Sequence, residues 1–165
     1  MKTPPKIRPA AVSDLPAILG IYNDAVENTT AIWNETPADL ANRKTWFMER
    51  TTKGFPVLVA EREGVIGYGS FGDFRPFEGY RVTVEHSVYV ANDARGQGVG
   101  AALLEALIAE AQRMDKHNMI GGIDASNAAS IALHVKFGFE EVGRMPGVGT
   151  KFGQPLDLLL MQKVL

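Results

Sequence analysis

One segment restricts the possible folds of this chain more than any other: an apolar strand pattern runs into a glycine-rich turn and then directly into a helix. Residues 88–90 (Val-Tyr-Val) end the strand, residues 95–100 (Arg-Gly-Gln-Gly-Val-Gly) form the turn, and helical periodicity continues to Met114. A helix that begins in this way presents unpaired backbone N–H groups and the positive end of its dipole. The segment therefore predicts a site for a phosphate or pyrophosphate group.

The spacing of the glycines excludes two common phosphate-binding motifs. A P-loop needs Gly-Lys-Ser or Gly-Lys-Thr after its first glycine, and the dinucleotide fingerprint needs Gly-x-Gly-x-x-Gly, whereas this turn reads Gly-x-Gly-x-Gly. On these residues alone, the turn is either a phosphate cradle or only a tight turn. The flanking elements are needed to decide between the two.

The hydrophobic pattern predicts a single domain over residues 1–165, of the α/β (α+β) class. The predicted order is strand, two helices, three strands, helix, strand, helix and two strands. We expect a mixed, mostly antiparallel central sheet flanked by helices. The second helix is predicted to begin at Thr36 as its N-cap, a central strand to cover residues 80–90, and the last two strands to cover residues 140–144 and 156–164.

Composition limits the partners of the chain. Seventeen Lys and Arg against nineteen Asp and Glu give a net charge of −2, which argues against a nucleic-acid-binding protein. Cysteine is absent and there are three histidines, so we expect no metal centre. No signal peptide or membrane-length apolar run is found, so we expect a cytoplasmic protein that does not bind membranes.

Residues 95–100 resemble the Arg/Gln-x-x-Gly-x-Gly/Ala signature of the GNAT superfamily of acetyl-CoA-dependent N-acetyltransferases. Residues 127–130 (Asn-Ala-Ala-Ser) and 137–139 (Phe-Gly-Phe) resemble two later elements of that family, and the order of elements agrees over nearly the whole chain. The resemblance implies the GNAT fold, with acetyl-CoA as co-substrate and no metal. The residues that it implies for acetyl-CoA binding are Val88, Tyr89, Val90, Arg95, Gly96, Gln97, Gly98, Val99, Gly100 and Asn127.

A narrower resemblance is carried by residues 83–90 (Thr-Val-Glu-His-Ser-Val-Tyr-Val), 133–134 (Leu-His) and 149–153 (Gly-Thr-Lys-Phe-Gly). These resemble the phosphinothricin acetyltransferase branch, whose members acetylate small amino acids such as phosphinothricin, methionine sulfoximine or methionine sulfone. The resemblance implies a homodimer, with the late glycine-containing loop near the neighbouring subunit. It implies a substrate site formed by Arg75, Pro76, Phe77, Glu85, His86, Ser87 and Lys151.

Two residues are implied to be catalytic, Glu85 and His134. An α-ammonium group titrates at about pH 8, so a nearby base is useful at neutral pH, and the resemblance implies that Glu85 is this base. On the residue pattern alone, a solvated or ion-paired carboxylate remains the alternative. The resemblance implies an acid/base role for His134, since imidazole exchanges protons near neutrality, and a structural histidine remains the alternative. His86 should lie on the strand face opposite Glu85, where a structural role is favoured.

An amino-acid substrate also presents a carboxylate, which a guanidinium group binds well. Arg75 and Lys151 are the candidate cations, although each taken alone predicts a solvent-exposed charge. The main hypothesis is acetylation of the α-amine of a small amino acid. Acetylation of a protein N-terminus or lysine, and a CoA-binding sensor without activity, are the alternatives; the segment 71–80 favours a small closed pocket, and the presence of both Glu85 and His134 argues against a sensor.

Overall fold

The computed structural model describes residues 2–165 and contains four α-helices and seven strands. The helices are α1 (Leu15–Asn28), α2 (Leu40–Thr52), α3 (Val99–Arg113) and α4 (Ala128–Lys136). The strands are β1 (Lys6–Pro9), β2 (Val57–Glu61), β3 (Val65–Asp73), β4 (Thr83–Val90), β5 (Asn118–Asp124), β6 (Glu140–Lys151) and β7 (Gln154–Val164). All seven strands form one sheet in the order β1-β2-β3-β4-β5-β7-β6.

The sheet has one parallel junction, between β4 and β5, and every other neighbouring pair is antiparallel. The predicted mixed, mostly antiparallel sheet with flanking helices is confirmed. The β4–β5 ladder joins only residues 83–85 to residues 118–120, although β4 continues to Val90 and β5 to Asp124. The two strands therefore separate towards their carboxyl ends and leave an opening in the middle of the sheet.

The strand β4 divides its side chains between two hydrophobic cores, as the period of two in a strand requires. Val84 and Val88 belong to the core that α3 covers, together with Leu103 and Leu107. On the other face, Tyr89 packs with residues of α1 and α2. Alternate residues of β4 therefore reach opposite sides of the sheet, which places Glu85 and Ser87 on the α1–α2 side.

Glycines in β3 allow α3 to lie close to the sheet. A Cβ added at Gly69 would lie 2.9 Å from Leu107 Cδ1 and 3.2 Å from the Ser87 carbonyl oxygen. At Gly67, an added Cβ would lie 3.0 Å from Val99 Cγ1, in the first turn of α3. The small residues thus fix the distance between the N-terminus of α3 and β4.

Two predicted element starts are wrong. The helix α2 begins at Leu40, with Asp39 rather than Thr36 as its N-cap, because the Asp39 carboxylate accepts a hydrogen bond from the Asn42 N–H at 2.8 Å. The central strand begins at Thr83 instead of residue 80, since residues 78–80 form a 3₁₀ turn.

The last two strands are longer than predicted. They pair as far as Lys151 and Gln154, and Phe152 and Gly153 form the connecting turn with φ of 52° and 72°. The segment 149–153 is therefore a strand end and a tight hairpin turn rather than an open loop. Two consecutive residues with positive φ are typical of a hairpin turn that follows the twist of its strands.

The close packing of α3 against β3 predicts that Gly69→Ala destabilises the protein by about 1–3 kcal/mol, because the added methyl group overpacks a rigid contact. Gly143→Ala is the matched control, since nothing lies within 4 Å of a Cβ added there. Its unfolding free energy should stay the same or rise slightly, because alanine restricts the unfolded chain. Urea denaturation measures both; equal effects would contradict the packing argument.

Candidate functional site

A cavity of about 450 Å³ occupies the opening between β4 and β5. Its walls come from β4, β5, the N-terminus of α3, helix α4 and the segment that follows α1. Among the lining residues are Thr29, Thr30, His86, Ser87, Val88, Tyr89, Val90, Arg95, Gly100, Gly121, Asp124, Asn127, Ser130 and His134. The opening between the strands thus brings together most of the residues that the sequence predicted for a bound co-substrate.

The glycine-rich turn adopts the conformation that its sequence predicts. Gly96 and Gly98 have φ of 71° and 80°, in the left-handed region where glycine is favoured. Gly98 is the N-cap of α3 and no side chain caps the helix, so the N–H groups of its first turn remain available. Arg95 lines the cavity beside them, and its guanidinium donates to the Val90 carbonyl oxygen at 3.3 Å. These groups fit a pyrophosphate.

Two predicted cofactor-binding residues use their side chains to hold the local backbone. Gln97 accepts a hydrogen bond from Arg62 at 2.8 Å and donates to the Asp93 carbonyl oxygen at 2.8 Å, so only its backbone N–H is left for an anion. Asn127 caps α4 by accepting a hydrogen bond from the Ser130 N–H at 3.1 Å, and it also lines the cavity.

Glu85 lies on the α1–α2 side of β4, partly exposed to solvent and opposite Gly72 of β3. Within residues 2–165 it forms no ion pair and no side-chain hydrogen bond, so the alternative of a structural salt bridge is not what the structure shows. Partial burial raises the pKa of this carboxyl group, and the charges of Arg75 and Arg50 act against the rise. Among the described residues, Glu85 is therefore a carboxylate without a hydrogen-bond donor, within electrostatic range of Arg75 and Arg50.

The three residues predicted after β3, residues 75–77, are exposed at the surface. Arg75 stacks on Phe74, with its Cζ atom 5.2 Å from the ring centroid, and Phe77 is 74% exposed. Arg75, Pro76 and Phe77 do not line the large cavity. Of the three, Arg75 is near enough to Glu85 for its charge to act on that carboxyl group.

His86 and His134 form a buried pair in the wall of the large cavity. Their Nε2 atoms are 2.9 Å apart, and the Nδ1 atoms face the carbonyl oxygens of Ile120 at 3.0 Å and Ser130 at 2.7 Å. Gly121 makes room for the pair, since a Cβ there would lie 3.0 Å from His86 Cε1. His86 lies opposite Glu85 as predicted, and it holds the ring of His134 in place.

The number of protons on this pair follows from its contacts. Carbonyl oxygens only accept, so satisfying both Nδ1 contacts and the Nε2–Nε2 contact needs three protons on two rings. Burial lowers the pKa of both imidazoles, that of His86 to about 3, so the neutral pair carries only two. The Ser130 hydroxyl, 3.5 Å from His134 Nδ1, is placed to donate to the nitrogen that lacks a proton. The pair thus has a place for one more proton.

Lys151 does not lie where the sequence predicted a solvent-exposed or substrate-binding cation. It is 1% exposed, and its ammonium group donates to the carbonyl oxygens of Ala25, Thr29 and Ile32. Burial lowers its pKa. Because these three carbonyls belong to the end of α1 and the segment after it, Lys151 holds a wall of the large cavity rather than a substrate.

Sequence reasoning missed two further groups near the site. Asp124 accepts a hydrogen bond from the Thr30 hydroxyl across the cavity, and the only signal in the sequence is that Asp124 ends a strand three residues before Asn127. Arg50 of α2 acts on the charge of Glu85, and the available signal was a cation on the buried face of the helix. Within residues 2–165, no group of three or more His, Asp or Glu side chains is placed to hold a metal ion. In the same range, no helix has both the length and the apolar character needed to cross a bilayer.

The Lys151 contacts predict that Lys151→Met lowers the free energy of unfolding by about 2 kcal/mol or more, since three buried carbonyls lose a charged donor. Amide hydrogen exchange should accelerate in residues 25–33. Lys136→Met, at an exposed position of α4, serves as control and should change neither measurement. Unchanged exchange in residues 25–33 of Lys151→Met would show that the ammonium does not hold this wall.

The histidine pair predicts a pH-dependent loss of stability. With its pKa lowered, folded His86 stays unprotonated below about pH 6.5 while the unfolded chain takes up a proton, so stability falls as pH falls from there towards about 3. Between pH 7 and pH 5 the wild type should lose up to about 2 kcal/mol more than His86→Phe. Urea denaturation at the two pH values measures this difference. Identical losses would contradict the lowered pKa.

Comparison with known proteins agrees with this geometry. Residues 18–139 match the model of the acetyltransferase (GNAT) family. The chain is 60% identical over 158 residues to an L-methionine sulfoximine/L-methionine sulfone acetyltransferase of Pseudomonas paraeruginosa, covering 94% of this chain and 92% of the relative.

Two solved structures are similar over nearly the whole chain. One is described as a ribosomal-protein-alanine N-acetyltransferase from Brucella melitensis, with 61% identity, a TM-score of 0.96 and coverage of 97% of this chain and 99% of the other. The second is a GNAT superfamily phosphinothricin acetyltransferase from Sinorhizobium meliloti in complex with acetyl-CoA, with 38% identity, a TM-score of 0.96 and coverage of 99% and 89%. With the GNAT fold and a cavity that fits acetyl-CoA, the chain belongs to the acetyltransferase (GNAT) family and is an acetyl-CoA-dependent N-acetyltransferase.

Proposed function

We propose that the chain acetylates the α-amine of a small amino acid or analogue, of the methionine sulfoximine, methionine sulfone or phosphinothricin type. The observation that carries this proposal is Glu85, a carboxylate beside the opening of the sheet that has no ion pair or hydrogen bond within residues 2–165 and lies in electrostatic range of Arg75 and Arg50. The Pseudomonas relative, at 60% identity, is named for the first two of these substrates. If the chain acetylates such analogues, its activity would confer resistance to them.

Acetyl-CoA supplies the acetyl thioester in this proposal. The turn at residues 95–100 and the first turn of α3 would hold its pyrophosphate, as argued from the positive φ angles and the uncapped helix. The backbone of β4 between Val88 and Val90 faces the opening with no β5 partner, which leaves it available to the pantetheine arm. Asn127 completes this part of the wall.

Glu85 acts as the general base for the amine, directly or through a water molecule. A carboxyl group whose pKa is raised by partial burial is a stronger base than one in water, and the charges of Arg75 and Arg50 act against that rise. Because Glu85 makes no internal hydrogen bond, its oxygens need no rearrangement before they take a proton. Ser87 lies on the same face of β4 as Glu85, and the charge of Arg75 acts on Glu85; with Pro76 and Phe77 they form the proposed substrate side. Lys151 acts only by holding the cavity wall.

His134 and His86 hold or release one proton on the other face of β4. Uptake of one proton by the pair completes its hydrogen bonds, since the three contacts then have three protons. This makes the pair the candidate acid/base group on the cavity side. His86 acts through His134 as a positioning residue.

A second candidate substrate is a protein N-terminus. It is favoured by the Brucella structure, which is described as acetylating the alanine of a ribosomal protein and is 61% identical to this chain. A thiol-release screen that compares methionine sulfoximine, methionine sulfone and phosphinothricin with alanine-initiated peptides separates the two. We expect kcat/KM to be higher for the free amino acids, and a preference for peptides would reverse the assignment.

A homodimer and a cytoplasmic location also belong to this proposal. The exposed apolar side chains of β6 and its turn supply a surface for a second copy; they are Val142, Met145, Val148 and Phe152. Light scattering after size-exclusion chromatography tests the dimer. A cytoplasmic location would place the enzyme with its co-substrate.

Removing the charge of Glu85 tests its role as the base. Glu85→Gln should lower turnover at least about tenfold, since a general base contributes about 10²–10⁴ to the rate, while the affinity for CoA stays nearly unchanged. The acid limb of the pH–rate profile should also disappear. Glu105→Gln, an exposed change on α3, is the control. Unchanged turnover of Glu85→Gln in a thiol-release assay would exclude this role.

A further inference from the structure

A second and smaller cavity, of about 160 Å³, lies beneath α2 on the same side of the sheet as Glu85. It shares Ser87 and Tyr89 with the large cavity, so the two meet along β4. Its lining residues are Tyr22, Arg43, Trp46, Arg50, Tyr68, Ser70, Ser87 and Tyr89. The lining contains two guanidinium groups and no carboxylate.

Arg43 and Arg50 come from one face of α2, seven residues apart, on either side of the buried Phe47. Arg43 is 8% exposed, and its guanidinium lies 4.0 Å from the centroid of the Tyr22 ring. Its recorded hydrogen bonds go to the side-chain oxygen of Asn42, a neutral group. Neither arginine forms an ion pair within residues 2–165, so two half-buried or buried cations in this cavity lack an anion.

None of the acidic residues around Arg50 forms an ion pair with it within residues 2–165. Glu85, Asp73 and Glu49 are close enough to act on its charge, but Asp73 is paired with Lys53 at 3.6 Å. Burial lowers the pKa of the Arg50 guanidinium. A cation removed from water without a paired anion is unfavourable in the folded protein, which is a reason to expect a bound anion in its place.

Tyr68 supplies an independent indication of a missing partner. The residue is 2% exposed, and its hydroxyl is buried without a hydrogen-bond partner in residues 2–165. Buried polar groups are nearly always hydrogen-bonded in proteins. Burial also raises the pKa of this phenol, so it stays protonated and can donate.

Gly72 determines where the Arg50 guanidinium lies. A Cβ added at Gly72 would collide with the Nη1 atom of Arg50, so the guanidinium rests directly on the backbone of β3. Gly72 pairs with Glu85 across the ladder, and Ser70 pairs with Ser87. Because Gly72 has no side chain, the Arg50 guanidinium can lie between the small cavity and Glu85, the proposed base.

We propose that this small cavity binds the carboxylate of the amino-acid substrate, with Arg43, Arg50 and Tyr68 as donors and Ser87 at the junction with the large cavity. The inference rests on the proposed function and names how that substrate is recognised. A planar carboxylate matches the paired N–H groups of a guanidinium. Glu85 and Ser87, two residues apart on one strand face, are about 7 Å from each other, which suits an amino acid with its carboxylate at Ser87 and its amine towards Glu85.

Arg75, the cation that the sequence predicted for this purpose, is less suited to it. Arg75 is exposed and stacks on Phe74, so water and salt would screen an ion pair there. The cations of the small cavity are confined and share their space with a spare hydroxyl donor. Arg75 remains placed for the side-chain end of a substrate.

The test compares methionine sulfone with its carboxamide, which keeps the amine and the sulfone but removes the negative charge. Isothermal titration calorimetry should show the acid binding at least about tenfold more tightly to the wild type. Arg50→Gln and Arg43→Gln should each weaken binding of the acid about tenfold or more and change binding of the carboxamide less than about threefold. Lys44→Gln removes an exposed charge from the same helix and should change neither.

Gly72→Ala tests the position of Arg50 without removing its charge. The far end of a flexible side chain gives way at little expense in stability, so the variant should melt near the wild-type temperature while it loses the same preference for the acid. If Arg43→Gln fails to fold because its stacking on Tyr22 is lost, Arg50→Gln and Gly72→Ala still decide the question.

Two results would overturn the assignment: a wild type that binds acid and carboxamide equally, or variants that weaken both ligands to the same extent. Acetyl transfer is measured separately by thiol release. Binding of the acid that depends on both arginines, with no transfer to any amino acid, would support the carboxylate site and contradict the proposed function. Acetyl transfer without preferential binding of the acid would support the proposed function and contradict the carboxylate site.

Discussion

The short parallel contact between β4 and β5 is the constraint on which the site depends. Three residue pairs hold the two strands together, and beyond Glu85 their backbones no longer pair. A sheet that remained paired along its whole length would have no cavity and no unpaired backbone at its centre. The glycine-rich turn, the uncapped start of α3 and the wall of α4 then surround this opening, so that a cofactor can replace the missing strand contacts.

The alternation of β4 assigns different chemistry to its two faces. Towards α1 and α2 it presents Glu85 and Ser87, next to the cations of α2, and this face is suited to a charged, solvated substrate. Towards α4 it presents His86, whose partner His134 is enclosed and short of one proton. A single strand thus separates Glu85, the proposed base, from the buried histidine pair, the proposed acid/base group on the cavity side.

The sequence alone predicted some parts of the candidate site and missed others. The glycine-rich turn was predictable because a few neighbouring residues determine both the turn and the start of the helix. The face of β4 on which Glu85 lies followed from the period of two in a strand. The role of Lys151 was not predictable, because its partners are carbonyl oxygens more than a hundred residues earlier in the chain. Arg43 and Arg50 are ordinary helix residues in sequence, and only the packing of α2 over β3 and β4 brings them to Tyr68 and Gly72.

Lys151 joins parts of the molecule that share no hydrophobic core. It lies at the end of β6, the outermost strand of the sheet, and its ammonium group reaches the segment that closes the large cavity. Phe152, the next residue, is itself tied to that segment through its N–H and Glu35. Displacement of the sheet edge, by a second subunit or by any other protein that covers β6, would therefore be transmitted to the cavity wall through Lys151 and Phe152, and would couple binding at this edge to co-substrate affinity.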